Sequence, residues 1–193
     1  MPWEKQFNVG EILDKAMQAF WTRGYEAPSM QDLVDRTGVN RASLYATYGD
    51  KRALFLAALH RYDENMRKAL IAELQTESSP RDAIRRLFEV FVEQAVTKKD
   101  RRGCFLTNTA LELATHDVAI GRIVANAQSE IETFFTRMII KAKELGDVSA
   151  SLKPVPCARG LLASLLGLVV LSRSRPDPVL LRTVVEDAMK RLD

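Results

Sequence analysis

Apolar residues recur at helical spacing along almost the whole chain. Val9, Ile12, Leu13, Ala16, Met17 and Phe20 follow the i, i+3, i+4, i+7 rule of a helix with one buried face. Gly24 is suited to end it. Ser29 is a cap for a second helix with Leu33, Val34 and Thr37 inward, and Gly38-Val39-Asn40 breaks that helix. Asn40 caps a third helix through Tyr48, Gly49 ends it, and Asp50 caps a fourth. On the fourth, Leu54, Ala58, Tyr62, Met66 and Leu70 form one stripe. After the polar break Thr76–Pro80, a helix turns Ala83, Leu87, Phe88, Phe91, Val92 and Ala95 inward. Lys98–Gly103 is a basic loop, and Cys104–Ala114 reads as a short helix. Asp117 opens a long helix to about Leu145. Pro154 and Pro156 start an apolar helix ending near Ser172, and Asp177-Pro178 caps the last one. No stretch alternates with period two, so the expected class is all-α.

Composition narrows this picture. The 193 residues make one large domain or two small ones, and 47% hydrophobic content suffices for a core. With 28 basic and 25 acidic residues the net charge is +3, which permits a nucleic-acid partner without demanding one. Two cysteines exclude a disulfide scaffold and suit a reducing compartment. Cys104, Cys157, His60 and His116 have no metal-ligand spacing, so no metal is expected. The apolar run Leu161–Leu171 is too short to span a bilayer, and the N-terminus has no apolar leader core. The expectation is a soluble, cytoplasmic protein without a membrane partner. No G-x-x-x-x-G-K-[ST] or H-E-x-x-H motif is present, and no His stands near a Ser or Cys in an evident motif. Neither catalytic residues nor a cofactor is therefore expected.

The informative block is Ser29–Lys51. Two short helices around a turn containing Gly38 form a helix-turn-helix, with Leu33, Val39, Leu44 and Tyr48 spaced to pack them together. The outward positions of the second helix suit a major groove. Arg41 can donate two bonds to guanine O6 and N7, and Ala42 can meet a thymine methyl. Ser43, Tyr45, Thr47 and Lys51 suit phosphate oxygens. Ser29 and Asn40 stand at the helix starts, either as part of the interface or as caps alone. A helix-turn-helix is also an ordinary helical corner. Residues 1–70 carry ten basic and nine acidic side chains, so charge does not decide between the two.

Four motifs add a resemblance: A-F-x-x-x-G-Y from Ala19, S-M-Q-D-L from Ser29, G-V-x-R-x-S-L-Y from Gly38 and D-K-x-A-L-F from Asp50. Together they resemble the DNA-binding domain of the TetR family of bacterial transcriptional repressors. The resemblance is tight over about a quarter of the chain. It implies a three-helix helix-turn-helix domain over residues 1–50 and a helical ligand-binding and dimerisation domain over 51–193. It also implies a homodimer on a near-palindromic double-stranded DNA operator, released by a small-molecule effector or by modification of a thiol. The chain departs from the family at Ala46-Thr47, where many members carry an aromatic residue or His. That shifts the weight of backbone contact to Tyr45 and Lys51.

Leu161, Leu162, Leu165, Leu166, Leu168, Val169, Val170 and Leu171 occupy nearly every side of their helix. Such a helix must be buried all round. A partner copy is one way to do it, a monomer core is another, and the resemblance favours the pair. Candidate ligand contacts are Phe88, Phe91, Cys104, Phe105, Asn108, Leu111, Phe134, Phe135 and Met138. Any single aromatic among them is more readily plain core. Cys104 follows a basic cluster and opens a helix, a setting that favours thiolate chemistry. The preferred alternative is an unreactive thiol packed as a small hydrophobe.

Overall fold

The computed structural model describes residues 8–193. Positions 1–7, part of the expected 1–50 domain, lie outside the described residues. Ten α-helices follow in order: α1 (Val9–Arg23), α2 (Met30–Thr37), α3 (Arg41–Tyr48), α4 (Lys51–Tyr62), α5 (Ala69–Leu74), α6 (Pro80–Val96), α7 (Phe105–Glu112), α8 (Val118–Leu145), α9 (Pro154–Ser174) and α10 (Pro178–Met189). Among the described residues there is no strand. The all-α expectation is met.

Local chemistry sets the helix starts. Side-chain oxygens of Ser29, Asn40, Asp50, Ser79, Asp117 and Asp177 each accept a backbone N–H in the first turn that follows. These bonds satisfy donors that a helix cannot pair internally. Pro80, Pro154 and Pro178 stand at first-turn positions, where a missing N–H costs nothing.

Two apolar cores result. One gathers α1, α2, α3 and α4 with α7 and the start of α8; the other gathers α5, α6, the rest of α8, α9 and α10. The first does not stop at residue 50. Leu54, Phe55, Ala58 and Leu59 of α4 are fully buried in it, against α1. Phe55 meets Phe20, Tyr25 and Phe105 edge-on, with ring centroids 5.1, 5.0 and 5.4 Å apart. Edge-to-face pairs at such distances add to plain burial.

The fourth helix departs from the single expected stripe. Asp63–Lys68 forms a π-turn, which joins α4 and α5 into one rod from Lys51 to Leu74. Met66, expected in the stripe, is 41% exposed. A π-turn closes i to i+5 and so rotates every later side chain relative to an unbroken α-helix.

α9 is longer than its apolar run, at 21 residues, and is long and apolar enough to cross a membrane. It packs against α6, α8 and α10 and buries Leu161, Leu165 and Leu168 in this chain's own core. Ala163, Gly167 and Val170 remain exposed. The all-round apolar character thus divides into an internal face and a small-residue outer face.

Phe55→Ala removes the ring shared by three aromatic neighbours at a site with no exposure. We expect a loss of about 3–5 kcal/mol in unfolding free energy, measured by urea denaturation.

Candidate nucleic-acid interface

The α2–turn–α3 unit is held by capping and by one backbone conformation. The Ser29 hydroxyl accepts from the Asp32 N–H at 3.1 Å, and the Asp32 carboxylate accepts from the Ser29 N–H at 2.8 Å. This reciprocal pair is a capping box. The Ser29 hydroxyl also donates to that carboxylate at 2.6 Å, and this bond, then the one from the Ser29 N–H, holds the Asp32 carboxyl below the usual carboxylate range. Gly38 has φ +74° and ψ 13°, a left-handed geometry that a side chain adopts only with strain. Its N–H donates to the Val34 carbonyl at 2.9 Å. Val39 then drops into the core beside Leu33 and Leu44. The Asn40 amide oxygen accepts from the Ser43 N–H at 2.9 Å, which starts α3.

This frame decides which side of α3 faces out. Leu44 is buried, while Arg41, Ala42, Tyr45 and Ala46 are exposed and Ser43, Thr47 and Tyr48 are half-buried. The Arg41 guanidinium lies 5.6 Å from the centre of the Tyr45 ring, with Nη2 3.5 Å from its hydroxyl. Both therefore share one outer edge. Asn40 and Ser29 are exposed residues whose side chains serve as caps. Lys51 is half-buried. Its Nζ donates to the Glu26 carbonyl at 3.0 Å and sits 4.7 Å from the Tyr25 ring centre. That engages one of its three N–H donors.

The unit is tied to the rest of the chain by polar bridges absent from the sequence reading. Trp21 Nε1 donates to the Gly103 carbonyl at 3.2 Å, and the Arg102 guanidinium covers the Trp21 ring at 4.1 Å. The Glu112 carboxylate accepts the Tyr25 N–H at 2.9 Å. It also lies so close to Gly24 that a Cβ there would meet Oε2 at 2.8 Å. Arg52 donates twice to Asp117, at 2.5 and 3.0 Å, and Asp117 also caps α8. Arg52, then the Ile120 and Ala119 N–H groups, hold the Asp117 carboxyl down at about 2.

Behind this unit lies a cavity of about 210 Å³ between the α4–α5 rod, α6, α7, α8 and α9. Of the nine candidate ligand contacts, Phe91 and Cys104 line it. Phe88, Phe134 and Phe135 are packed into the second core. Phe105, Asn108 and Leu111 border a separate open groove beside α1, where Leu111 is 75% exposed. The Asn108 amide is engaged by the Arg102 carbonyl at 2.8 Å. Met138 is buried in the core and borders a shallow groove on the far side of α8. Tyr62, Arg67, Gln94 and Thr107 are polar lining residues that sequence reasoning missed. Burial, and then the neighbouring Cys104, push the Tyr62 phenol well above its ordinary range.

Comparison with known proteins decides the family. The family model described as bacterial regulatory proteins of the tetR family matches residues 12–58. A second, described as a tetracyclin repressor-like C-terminal domain, matches residues 80–188. The chain belongs to the TetR family. It is 31% identical to the HTH-type transcriptional regulator YezE of Bacillus subtilis (strain 168), over 98% of both chains. It is 29% identical to the HTH-type transcriptional repressor ComR of Escherichia coli (strain K12), over 86% of this chain and 77% of that one. Among solved structures, a cysteine mutant of the TetR-family regulator CifR complexed with 26bp double-strand operator DNA superimposes with a TM-score of 0.85. That match has 26% identity over 97% of each chain. The chain is thus a DNA-binding transcriptional regulator of the TetR family.

In this TetR-family chain the Arg52–Asp117 pair joins the first turn of α4 to the start of α8. The Asp117 carboxyl is depressed from 3.8 to about 2 in the folded state. Its stabilisation is therefore complete above about pH 4 and is lost as pH falls toward 2. Asp117→Asn should flatten the acid limb of stability in that window. Urea midpoints of wild type and variant at stepped pH values check this.

Proposed function

We propose that this TetR-family chain is a repressor that binds a near-palindromic operator as a homodimer and is released by a small molecule. The carrying observation is the α4–α5 rod. Its first half, through Leu54, Phe55 and Ala58, is part of the core that holds α3. Its second half, from Tyr62 through Met66, Arg67, Leu70 and Ile71, lines the cavity. A molecule lodged there presses on the same rigid element that positions the recognition helix. Ligand favours the conformations whose two recognition helices no longer match successive major grooves, about 34–36 Å apart. The names of ComR as a repressor and of the CifR complex with operator DNA support the reading. Acting on chromosomal DNA places the chain in the bacterial cytoplasm, at the nucleoid.

In this reading Arg41 and Ala42 read base edges, and Ser43, Tyr45, Thr47 and Lys51 contact phosphates, with Ser29 and Asn40 fixing the helix starts. The homodimer forms through the outer faces of α9 and α10. Exposed Ala163, Gly167 and Val170 allow close approach, and Val179 is 75% exposed. Leu168, by contrast, has no exposure within one chain, so a charge there tests folding rather than association.

Cys104 also borders the cavity, which supports a second route through a thiol-reactive effector lodged there. Cys104→Ser separates the two. Under non-covalent release the variant keeps both operator binding and effector response. Under thiol modification it loses the response alone.

Arg41→Ala should cost about 1–3 kcal/mol at the operator and relax preference at one base position. Lys51→Ala should weaken binding to all sequences and lower the salt slope by about one. Fluorescence anisotropy on operator fragments across a salt series measures both. Unchanged affinity in both variants would refute the interface.

Val170→Glu should shift the chain to monomer, read by sedimentation velocity, because an unpaired charge is costly to bury. Operator affinity should fall with it.

A further inference from the structure

Among the described residues three threonines are buried, and one of them differs from the others. The Thr37 hydroxyl donates to the Leu33 carbonyl at 2.7 Å and the Thr109 hydroxyl to the Phe105 carbonyl at 2.8 Å, each four residues back. Thr107 is 8% exposed, and its hydroxyl has no hydrogen bond among the described residues. The carbonyl four residues before it, that of Gly103, accepts from Trp21 Nε1 at 3.2 Å instead. Buried hydroxyls are rarely left unpaired. Thr107 lines the cavity, and its oxygen is not sealed off as Arg67 Nη1 is.

Two more neutral hydrogen-bonding groups stand at the same end of the cavity. Cys104 lies one helical turn before Thr107, and Tyr62 lies beside Cys104. Burial keeps the Tyr62 phenol protonated. Gln94 belongs to α6, which folds back along α5 after residues 75–79. Leu87 therefore lies toward the α5 end of the cavity and Gln94 toward Tyr62. The Gln94 main-chain carbonyl accepts the Asp100 N–H at 2.8 Å, which draws the loop before α7 to that end. Its half-buried side-chain amide borders the cavity. Tyr62 and Cys104 belong to the first core, whereas Ile71, Leu87 and Leu165 line the cavity from the second. The cavity is thus polar at one end and apolar at the other.

Charge and hydrogen-bonding capacity select the ligand. Tyr62, Gln94 and Thr107 are uncharged, and the guanidinium of Arg67 is already paired with Asp63 and Glu130. A threonine hydroxyl, a phenol and a primary amide each donate and accept. The complementary group is uncharged and does both, as a hydroxyl does. A carboxylate only accepts, and a methyl group would leave Thr107 unpaired. Size follows from the 210 Å³ volume. An apolar cavity of about 150 Å³ holds benzene, so this one takes about eight or nine non-hydrogen atoms.

We propose that the cavity binds a small, uncharged molecule with an apolar body and one hydroxyl, the hydroxyl at the Thr107–Gln94–Tyr62 end and the body against Ile71, Leu87 and Leu165. This names the chemical class of the effector and rests on the reading of the chain as a ligand-released repressor.

Three probes of similar shape test it on the full-length protein without DNA. The first, 4-ethylphenol, carries the hydroxyl; 4-ethyltoluene replaces it with a methyl group, and 4-methylbenzoate replaces it with a charge. None of them reacts with a thiol, so the outcome is separate from any chemistry at Cys104. Calorimetric or ligand-observed NMR titration should show 4-ethylphenol binding at least threefold more tightly than either of the others. Threefold is near the lower end of what one net hydrogen bond supplies. A hydroxyl that met no partner would reverse the order against 4-ethyltoluene, because its desolvation would go uncompensated. Thr107→Val should bring the ratio of 4-ethylphenol to 4-ethyltoluene below threefold, and Thr109→Val, on the same helix, should leave it unchanged. Thr107→Val breaks no hydrogen bond within the chain, so its urea midpoint should stay at or above that of wild type. No binding of 4-ethylphenol, or a wild-type ratio to 4-ethyltoluene below threefold, overturns the proposal without recourse to any variant. A ratio that survives Thr107→Val overturns it as well. Binding of 4-methylbenzoate within threefold of 4-ethylphenol, or tighter, overturns it in favour of an anionic ligand. Because these titrations contain no DNA, their failure leaves operator recognition standing. If 4-ethylphenol binds as expected but leaves operator affinity unchanged at saturation, control through the cavity fails while the ligand chemistry holds.

Discussion

The ring of Phe55 is packed between two parts of the molecule and is fully buried by them. On one side it meets Phe20 and Tyr25, which close the helix-turn-helix unit; on the other it meets Phe105, the first residue of α7. Phe105 in turn meets Tyr62 edge-on at 5.7 Å, and Tyr62 borders the cavity. A continuous series of close-packed rings therefore runs from the base of the helix-turn-helix unit to the cavity. Packed interiors transmit displacement because they have no free volume to absorb it. The Trp21, Glu112 and Asp117 bridges reinforce the same junction with directional bonds.

The rod formed by α4, the π-turn and α5 carries this junction from one core to the other. Its first half is a conventional α-helix with a capped start. Its second half presents a different set of side chains because the π-turn changes the register. The element packed into the core that holds α3 and the element that lines the cavity are thus one helix. Local irregularity in that helix brings a buried cation into the cavity wall, at a cost in desolvation that Asp63 and Glu130 offset.

The recognition surface is organised differently. Its outer residues are short or exposed, and its order comes from below: the capping box at Ser29, the left-handed Gly38, and Val39 and Leu44 in the core. Arg41 and Tyr45 lie against each other on the outer edge, so the Arg41 guanidinium is already partly ordered. The Lys51 ammonium ties α4 to the Glu26 carbonyl and lies over the Tyr25 ring.

Helix positions were legible because each depends on neighbours within a few residues. Ser29, Asn40, Asp50, Ser79, Asp117 and Asp177 cap the helices they precede, and Gly38 ends α2 as its lack of a Cβ allows. The exposed edge of α3 was legible for the same reason, since Leu44 alone determines which side turns inward. The chamber was not. Phe88, Phe134 and Phe135 look like Phe91 in sequence, yet only Phe91 borders the void, because helix crossing geometry decides which rings meet and which leave a gap. Asp63-Arg67 reads as a common i, i+4 surface pair, and nothing local marks it as buried. Only the packing of α8 and α9 over a π-turn withdraws Arg67 from water, so the sequence determined where the helices begin and end, and the tertiary structure alone decided what lies between them.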